Sequence, residues 1–242
     1  LDAEGLKGLS REQIREQLSR AVQDKYNQRE IEYPVEFAMS MAYGQQGATI
    51  YGFQALAEWA NRKYEANLNA DEVQEMKPQA VHELLVDLSR RHHDGLLEEQ
   101  VRKKVQSTDS REELAGWARQ RFDADLTAEE LRDGQAAEIR LIDVGREFLR
   151  KELSDLEKYV LLQIYDTTWK DHLYSMDHLR ESIFLRAFAE KDPKIEYKQE
   201  GFRMFNEMLQ SIEDRVTSTI FKVRLEAGAR TPLAAVFAGV LL

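Results

Sequence analysis

From Arg146 to Asp192 the chain contains neither glycine nor proline. Those two residues are the main helix breakers, so an uninterrupted run of this length demands long helix before any other feature is weighed. The apolar spacing agrees. Leu162, Trp169, Leu173, Met176 and Ile183 fall 7, 4, 3 and 7 apart. Past the short turn spanning 189–194, Phe202, Phe205, Leu209, Ile212, Val216, Thr219 and Val223 step 3, 4, 3, 4, 3, 4. This is a heptad seam on each of two arms. Two such seams joined by a few residues predict an antiparallel helical hairpin over 154–225, each arm roughly 45 Å long at about 1.5 Å per residue. Asp192-Pro193 sets the far turn, because the residue before proline is pushed out of the α region. The near end is open to two readings. Either Ser154 with Glu157 forms a capping box, or the arm continues from the preceding helix. The seam reading makes Leu209→Ala a core truncation costing roughly 2–5 kcal/mol.

The rest of the chain reads as helix too. Four prolines in 242 residues, no cysteine, and 43% hydrophobic against 32% charged residues describe an all-α protein without a disulfide framework or a thiolate metal site. Absence of cysteine fits a reducing compartment. The formal net charge of −10 argues against nucleic acid as a partner. No stretch approaches the ~18 consecutive apolar residues of a membrane span. The chain begins at Leu1 without an initiator methionine or a signal sequence and reads as a fragment.

Upstream, Ser10 with Gln13 predicts a capped helix carrying Ile14, Leu18, Ala21, Val22 and Tyr26. Pro34 is expected to end it. Val35–Tyr43 then reads as a separate short buried helix, followed by a polar turn among Gly44, Gly47 and Gly52. Next comes an internal repeat. Residues 56–73 (LAEWANRKYEANLNADEV) align without a gap on 114–131 (LAGWARQRFDADLTAEEL), 58 residues later. Each copy predicts a helix around Trp59 or Trp117, an acidic turn, and a new helix capped by Asn69 or Thr127. A longer helix then follows, over 78–91 or 136–153. Residues 1–150 therefore form a helical domain with a duplicated unit, about 53–95 and 111–153, whose tryptophans are core anchors.

No catalytic constellation stands out. A phosphate-binding GxxxxGK[ST] loop is absent. His92-His93-Asp94 raises a metal site, but a helix C-terminus before Gly95 accounts for it, and neighbouring residues on a helix point about 100° apart. Asp171-His172 and Asp177-His178 are read as polar contacts rather than an acid–base pair. The expectation is no catalytic residue and no metal. The tail 226–242 ends in small and apolar residues. It reads as a linker or as a signal-peptide-like segment. Apolar and charged residues crowd the hairpin tip (Leu185, Arg186, Phe188, Lys191, Asp192, Pro193), where only a partner could cover them.

The run 162–209 (LQIYDTTWKDHLYSMDHLRESIFLRAFAEKDPKIEYKQEGFRMFNEML) closely resembles the helical scaffold of the SecA family, the motor ATPases of bacterial protein secretion. Asp166, Trp169, His172, Leu173, Met176, Asp177, Leu179 and Arg180 match the first block of the family pattern. Leu185, Arg186, Phe188, Ala189, Lys191 to Pro193, Glu196 to Lys198 and Glu200 match the second. Residues 51–56 (YGFQAL) are similar to the start of the family's wing domain. The resemblance implies that the hairpin is the two-helix finger, with Phe188 at the position of the tip aromatic. It implies partners: the SecYEG channel, preprotein and signal peptide, the motor domains of a full-length chain, a second copy in a homodimer, and the membrane surface. It implies no cofactor in this segment, since ATP and magnesium belong to the parent's motor domains, and a cytoplasmic location at the inner membrane. The alternative is a structural helical adaptor without substrate contact.

Overall fold

A computed structural model describes residues 8–44, 49–186 and 192–223, with the backbone alone for 184–186. Every regular element in it is helical: α1 (Arg11–Ala42), α2 (Ile50–Tyr64), α3 (Ala70–Glu75), α4 (Pro78–Arg91), a π-helical turn (His92–Leu96), α5 (Leu97–Gln106), α6 (Arg111–Phe122), α7 (Gly134–Leu149), α8 (Lys151–Arg186) and α9 (Pro193–Ile220). The protein is all-α. It divides into two units, one ending at Ser154 and one beginning at Asp155.

In the first unit Ser10 caps α1 as its spacing to Gln13 predicts: Gln13 N donates to Ser10 Oγ at 3.2 Å, and Ser10 N donates to Gln13 Oε1 at 2.9 Å. Pro34, however, does not end the helix. α1 runs through it to Ala42. The flanking residues Tyr33, Val35 and Ala38 are buried, and that packing overrides the missing backbone donor. The Ile31 carbonyl, three residues before the proline, accepts the Ser89 hydroxyl from α4 at 2.9 Å. Gly52 lies in the first turn of α2 and not in a loop. A Cβ there would sit 2.6 Å from the Ala42 carbonyl oxygen, so glycine permits α2 to approach the end of α1.

The two sequence copies share local geometry. α2 and α6 both end on a left-handed residue at equivalent positions, Glu65 (φ 53) and Asp123 (φ 58). In each, the tryptophan meets the following aromatic edge-on: Trp59 with Tyr64 at 5.5 Å and Trp117 with Phe122 at 5.1 Å. Both tryptophans are half-buried at the margin of a core rather than in its centre. Asn69 and Glu72 form a capping box that starts α3. Thr127 and Glu130 make the same pair, but a single turn follows and no helix forms before Gly134. One core joins α1–α4 around Val35, Leu56, Tyr64, Val73, Val81 and Leu85. The other joins α5–α7 around Leu97, Val101, Ala118, Phe122 and Leu141. Leu149 packs against both.

The link between the cores is the π-helical turn, where Gly95 takes φ 121, a conformation that disfavours any side chain. The helix does not stop before Gly95 but is re-aimed into α5. His92 in this turn is only 2% exposed. Its Nδ1–H donates to the Leu88 carbonyl at 2.9 Å, leaving the buried Nε2 without a partner among the described residues. His93 instead lies 3.7 Å from Glu30 and 3.5 Å from Asp94.

α8 starts at Lys151, so neither reading of its origin holds. Ser154 lies inside the helix, and the break from α7 is Arg150 alone (φ −97, ψ 9). α8 and α9 pack antiparallel in the second unit. Arg215 donates to the Thr168 hydroxyl at 3.0 Å, and a Cβ on Gly201 would meet Met176 Cε at 3.0 Å. The buried line on α8 is Leu156, Val160, Ile164, Thr168, Leu179 and Ile183; on α9 it is Met208 and Ile212, with Gly201 and Met204 half-buried. The heptad reading meets this line at Ile183 and Ile212, with Trp169, Met176 and Val216 half-buried. It drifts away elsewhere: Leu162, Leu173, Phe202, Phe205 and Leu209 are exposed, Phe202 by 68%. The buried side chains on α8 step mostly by four, whereas a heptad advances 3.5 per turn, so the two lines separate by a residue or two within three turns.

Two measurements follow from this packing. Ile212→Ala should cost about 2–4 kcal/mol, and Leu209→Ala about 1 kcal/mol or less, by denaturant unfolding. Burial pushes the His92 pKa below its ordinary value, aided by Arg121 and opposed by the Leu88 carbonyl and Glu65. The folded state therefore holds the proton more weakly than the unfolded chain. The His92 contribution is complete above the unfolded value of about 6.5 and is lost as pH falls through and below it. Between pH 7.5 and 5.5 the native protein should lose more stability than His92→Gln, read from paired denaturant midpoints.

Candidate functional site

Among the described residues, exposed apolar side chains are most numerous along the hairpin of the second unit. Its far end begins α9 as the sequence predicts: Asp192 is the N-cap, its Oδ1 accepting Lys194 N at 2.9 Å, and Pro193 takes the first helical position, where a missing N–H costs nothing. Of the other tip residues, Phe188 and Lys191 lie outside the described residues, and of Leu185 and Arg186 only the helical backbone is described.

Along the side of the hairpin the misassigned seam residues acquire a different meaning. Tyr165 and Trp169, one turn apart, stack at 6.1 Å and 6°. Trp169 meets His172 at 5.7 Å, and His172 crosses to α9 to meet Phe205 edge-on at 5.9 Å. Leu162 and Leu173 on α8, with Phe202 and Leu209 on α9, are exposed as well. This gives a ladder of rings spanning both helices, with geometry in the favourable range for aromatic pairs. His172 is thus a ring-packing residue, and His178 likewise packs on Tyr174 at 4.7 Å. Neither pairs with its neighbouring aspartate as an acid–base couple among the described contacts.

A second feature lies nearer the tip. Ser175, His178, Leu179, Glu181 and Ser182 of α8 and Met204 of α9 line an open groove of about 490 Å³. Around it the charged residues pair along their own helices: Lys170 with Asp166 at 2.6 Å, Arg180 with Asp177 at 3.4 Å, Arg203 with Glu207 at 2.7 Å. Such exposed pairs contribute little to stability and keep the flanks solvated.

Sequence reasoning missed the polar contact inside the hairpin, Arg215 to Thr168, and the buried methionine Met208. A signal for the second existed: Met204, Met208 and Ile212 lie 4 apart and form a stripe one position from Phe205 and Leu209. Tyr165, four residues before Trp169, could have been read as its stacking partner. Among the described residues no group of three or more His, Asp or Glu side chains is placed to hold a metal ion, and no helix is long and apolar enough to cross a membrane.

Comparison with known proteins converges on one family. Residues 3–224 match the family model of the SecA wing and scaffold domain. The chain is 32% identical over 239 residues to protein translocase subunit SecA 1 of Rhodopirellula baltica, a match covering 88% of this chain and 19% of that protein. Against protein translocase subunit SecA of Acidithiobacillus ferrooxidans it is 51% identical over 77 residues, 32% of this chain and 8% of that protein. Against the Rhodococcus opacus subunit it is 40% identical over 116 residues, 43% of this chain and 12% of that protein. The matches thus span no more than about a fifth of these relatives. No solved structure matches the chain. The chain belongs to the SecA family of protein translocase subunits, and residues 3–224 are a SecA wing and scaffold domain.

Proposed function

We propose that the α8–α9 hairpin is the two-helix finger of a SecA translocase, coupling ATP-driven motion to preprotein movement through the SecYEG channel. The observation that supports it is the unbroken α8, 36 residues and so roughly 54 Å long, paired antiparallel with α9. A device that moves substrate at a distance from its motor has to be stiff. Continuous hydrogen-bonded helix with a buried stripe on each arm supplies that stiffness. The family's motif residues flank the far turn, where Leu185, Arg186, Phe188, Lys191, Asp192 and Pro193 would face the channel mouth and the moving polypeptide. Phe188, where the family has an aromatic residue, would act by packing rather than by a hydroxyl hydrogen bond.

In this reading the segment does not hydrolyse ATP. ATP and magnesium would be handled by motor domains that correspond to other parts of the relatives, and signal peptide would bind alongside the scaffold. The protein would work on the cytoplasmic face of the inner membrane, held there peripherally, and could pair with a second copy.

A second reading is a helical adaptor that docks through its side rather than its tip. The aromatic ladder from Tyr165 to Phe205 favours it. Photo-crosslinking from position 188 in a full-length SecA chain carrying this segment separates the two: adducts with SecY or preprotein support the finger, and their absence supports the adaptor. In the same chain Phe188→Ala should slow translocation several-fold with the melting temperature unchanged. Translocation at the native rate would overturn the finger reading.

A further inference from the structure

α8 is continuous, but its attachment is not. A single non-helical residue, Arg150, separates it from α7, and a one-residue break can pivot unless both sides are fastened. The structure fastens them with polar groups. Arg150 donates to the Tyr26 hydroxyl and lies 3.4 Å from Glu30, both on α1. Two residues on, Glu152 in the first turn of α8 accepts the Trp59 indole N–H at 2.8 Å on one oxygen and the Lys63 ammonium on the other. Lys63 is 3% exposed and the Glu152 side chain 11%. The ammonium also lies 5.4 Å from the Trp59 ring and 5.7 Å from the Phe148 ring.

A buried ion pair of this kind is a weak source of stability, because desolvation of both charges offsets their attraction. Well-packed apolar residues would do as well or better. What the pair adds is direction: a carboxylate with two defined donors holds one position of the helix turn.

The internal repeat provides the control. The equivalents of Trp59, Lys63 and Glu152, 58 residues away, are Trp117, Arg121 and Asp94. They form no such cluster. Arg121 reaches the carbonyls of Arg62 (2.9 Å) and Lys63 (3.2 Å) and the Glu65 carboxylate (3.3 Å). The Asp94 carboxylate is 63% exposed beside His93. The Trp117 indole N–H meets no acceptor among the described residues. The contact with Glu152 is therefore not part of the repeated unit but a use to which the first copy alone is put.

We infer that Trp59, Lys63 and Glu152 are positioning residues, a charged clasp that sets the first turn of α8 against α2 and through which movement of the wing is passed into the hairpin helix. The passing-on of movement rests on the reading of the hairpin as a finger; the clasp itself does not. Hydrogen exchange on the isolated chain tests the clasp without channel or preprotein, so its failure is separate from that of the finger. Glu152→Gln should speed exchange of the amides at 153–157 by about tenfold or more, with α4 and α9 unchanged. The apolar pair Lys63→Met with Glu152→Met should restore the melting temperature while exchange at 153–157 stays fast. A merely structural pair would recover both together, and that result overturns the proposal. So does native exchange in Glu152→Gln. If Glu152→Gln does not fold, the double variant alone decides between these outcomes.

Discussion

A helix as long as α8 has more side than one partner can cover. Two helices packed side by side bury roughly one stripe of each, and the remaining circumference faces water. In this protein the remaining circumference is not wholly polar. One stripe, from Leu156 to Ile183, goes inward, and a second, through Leu162, Tyr165 and Leu173, stays outside with Trp169 half-buried beside it. The aromatic ladder is built from that surplus of apolar surface, while ion pairs at helical spacing keep the flanks solvated.

The first unit solves a different problem with repeated material. Each copy builds a Trp-centred helix ending on a left-handed residue, and each needs neighbours to bury its apolar face. The two cores meet at Leu149, and the π-helical turn at Gly95 re-aims the chain from one to the other. Equivalent positions then diverge in use. Lys63 takes a carboxylate from α8, while Arg121 satisfies carbonyls at the end of α2, where a cation is favoured by the helix dipole. Duplication supplied the scaffold, and local contacts specialised it.

Membership of the SecA family and the packing of the hairpin rest on different observations. The family match rests on sequence over residues 3–224, and the antiparallel register on contacts such as Arg215 with Thr168. The match covers both units of the described structure, and within the second unit α8 and α9 run antiparallel. Among the tip residues, Asp192 and Pro193 have a definite structural part as N-cap and first helical residue.

The sequence by itself determined the helical class, the long arms, the start of α9 at Asp192-Pro193, the Ser10 cap and the duplication. Each depends on local chemistry: absent breakers, a capping side chain, a restricted residue before proline, or repeated identities. Tertiary structure alone decided the rest. Pro34 stays inside α1 because Tyr33, Val35 and Ala38 are buried around it. Met208 faces inward and Leu209 outward, although both are apolar and adjacent, because neighbouring stripes on one helix are separated only by what packs against them. The clasp of Glu152 with Trp59 and Lys63 joins residues about ninety positions apart, Arg150 reaches Tyr26 across 124 positions, and no local pattern encodes pairings at that range.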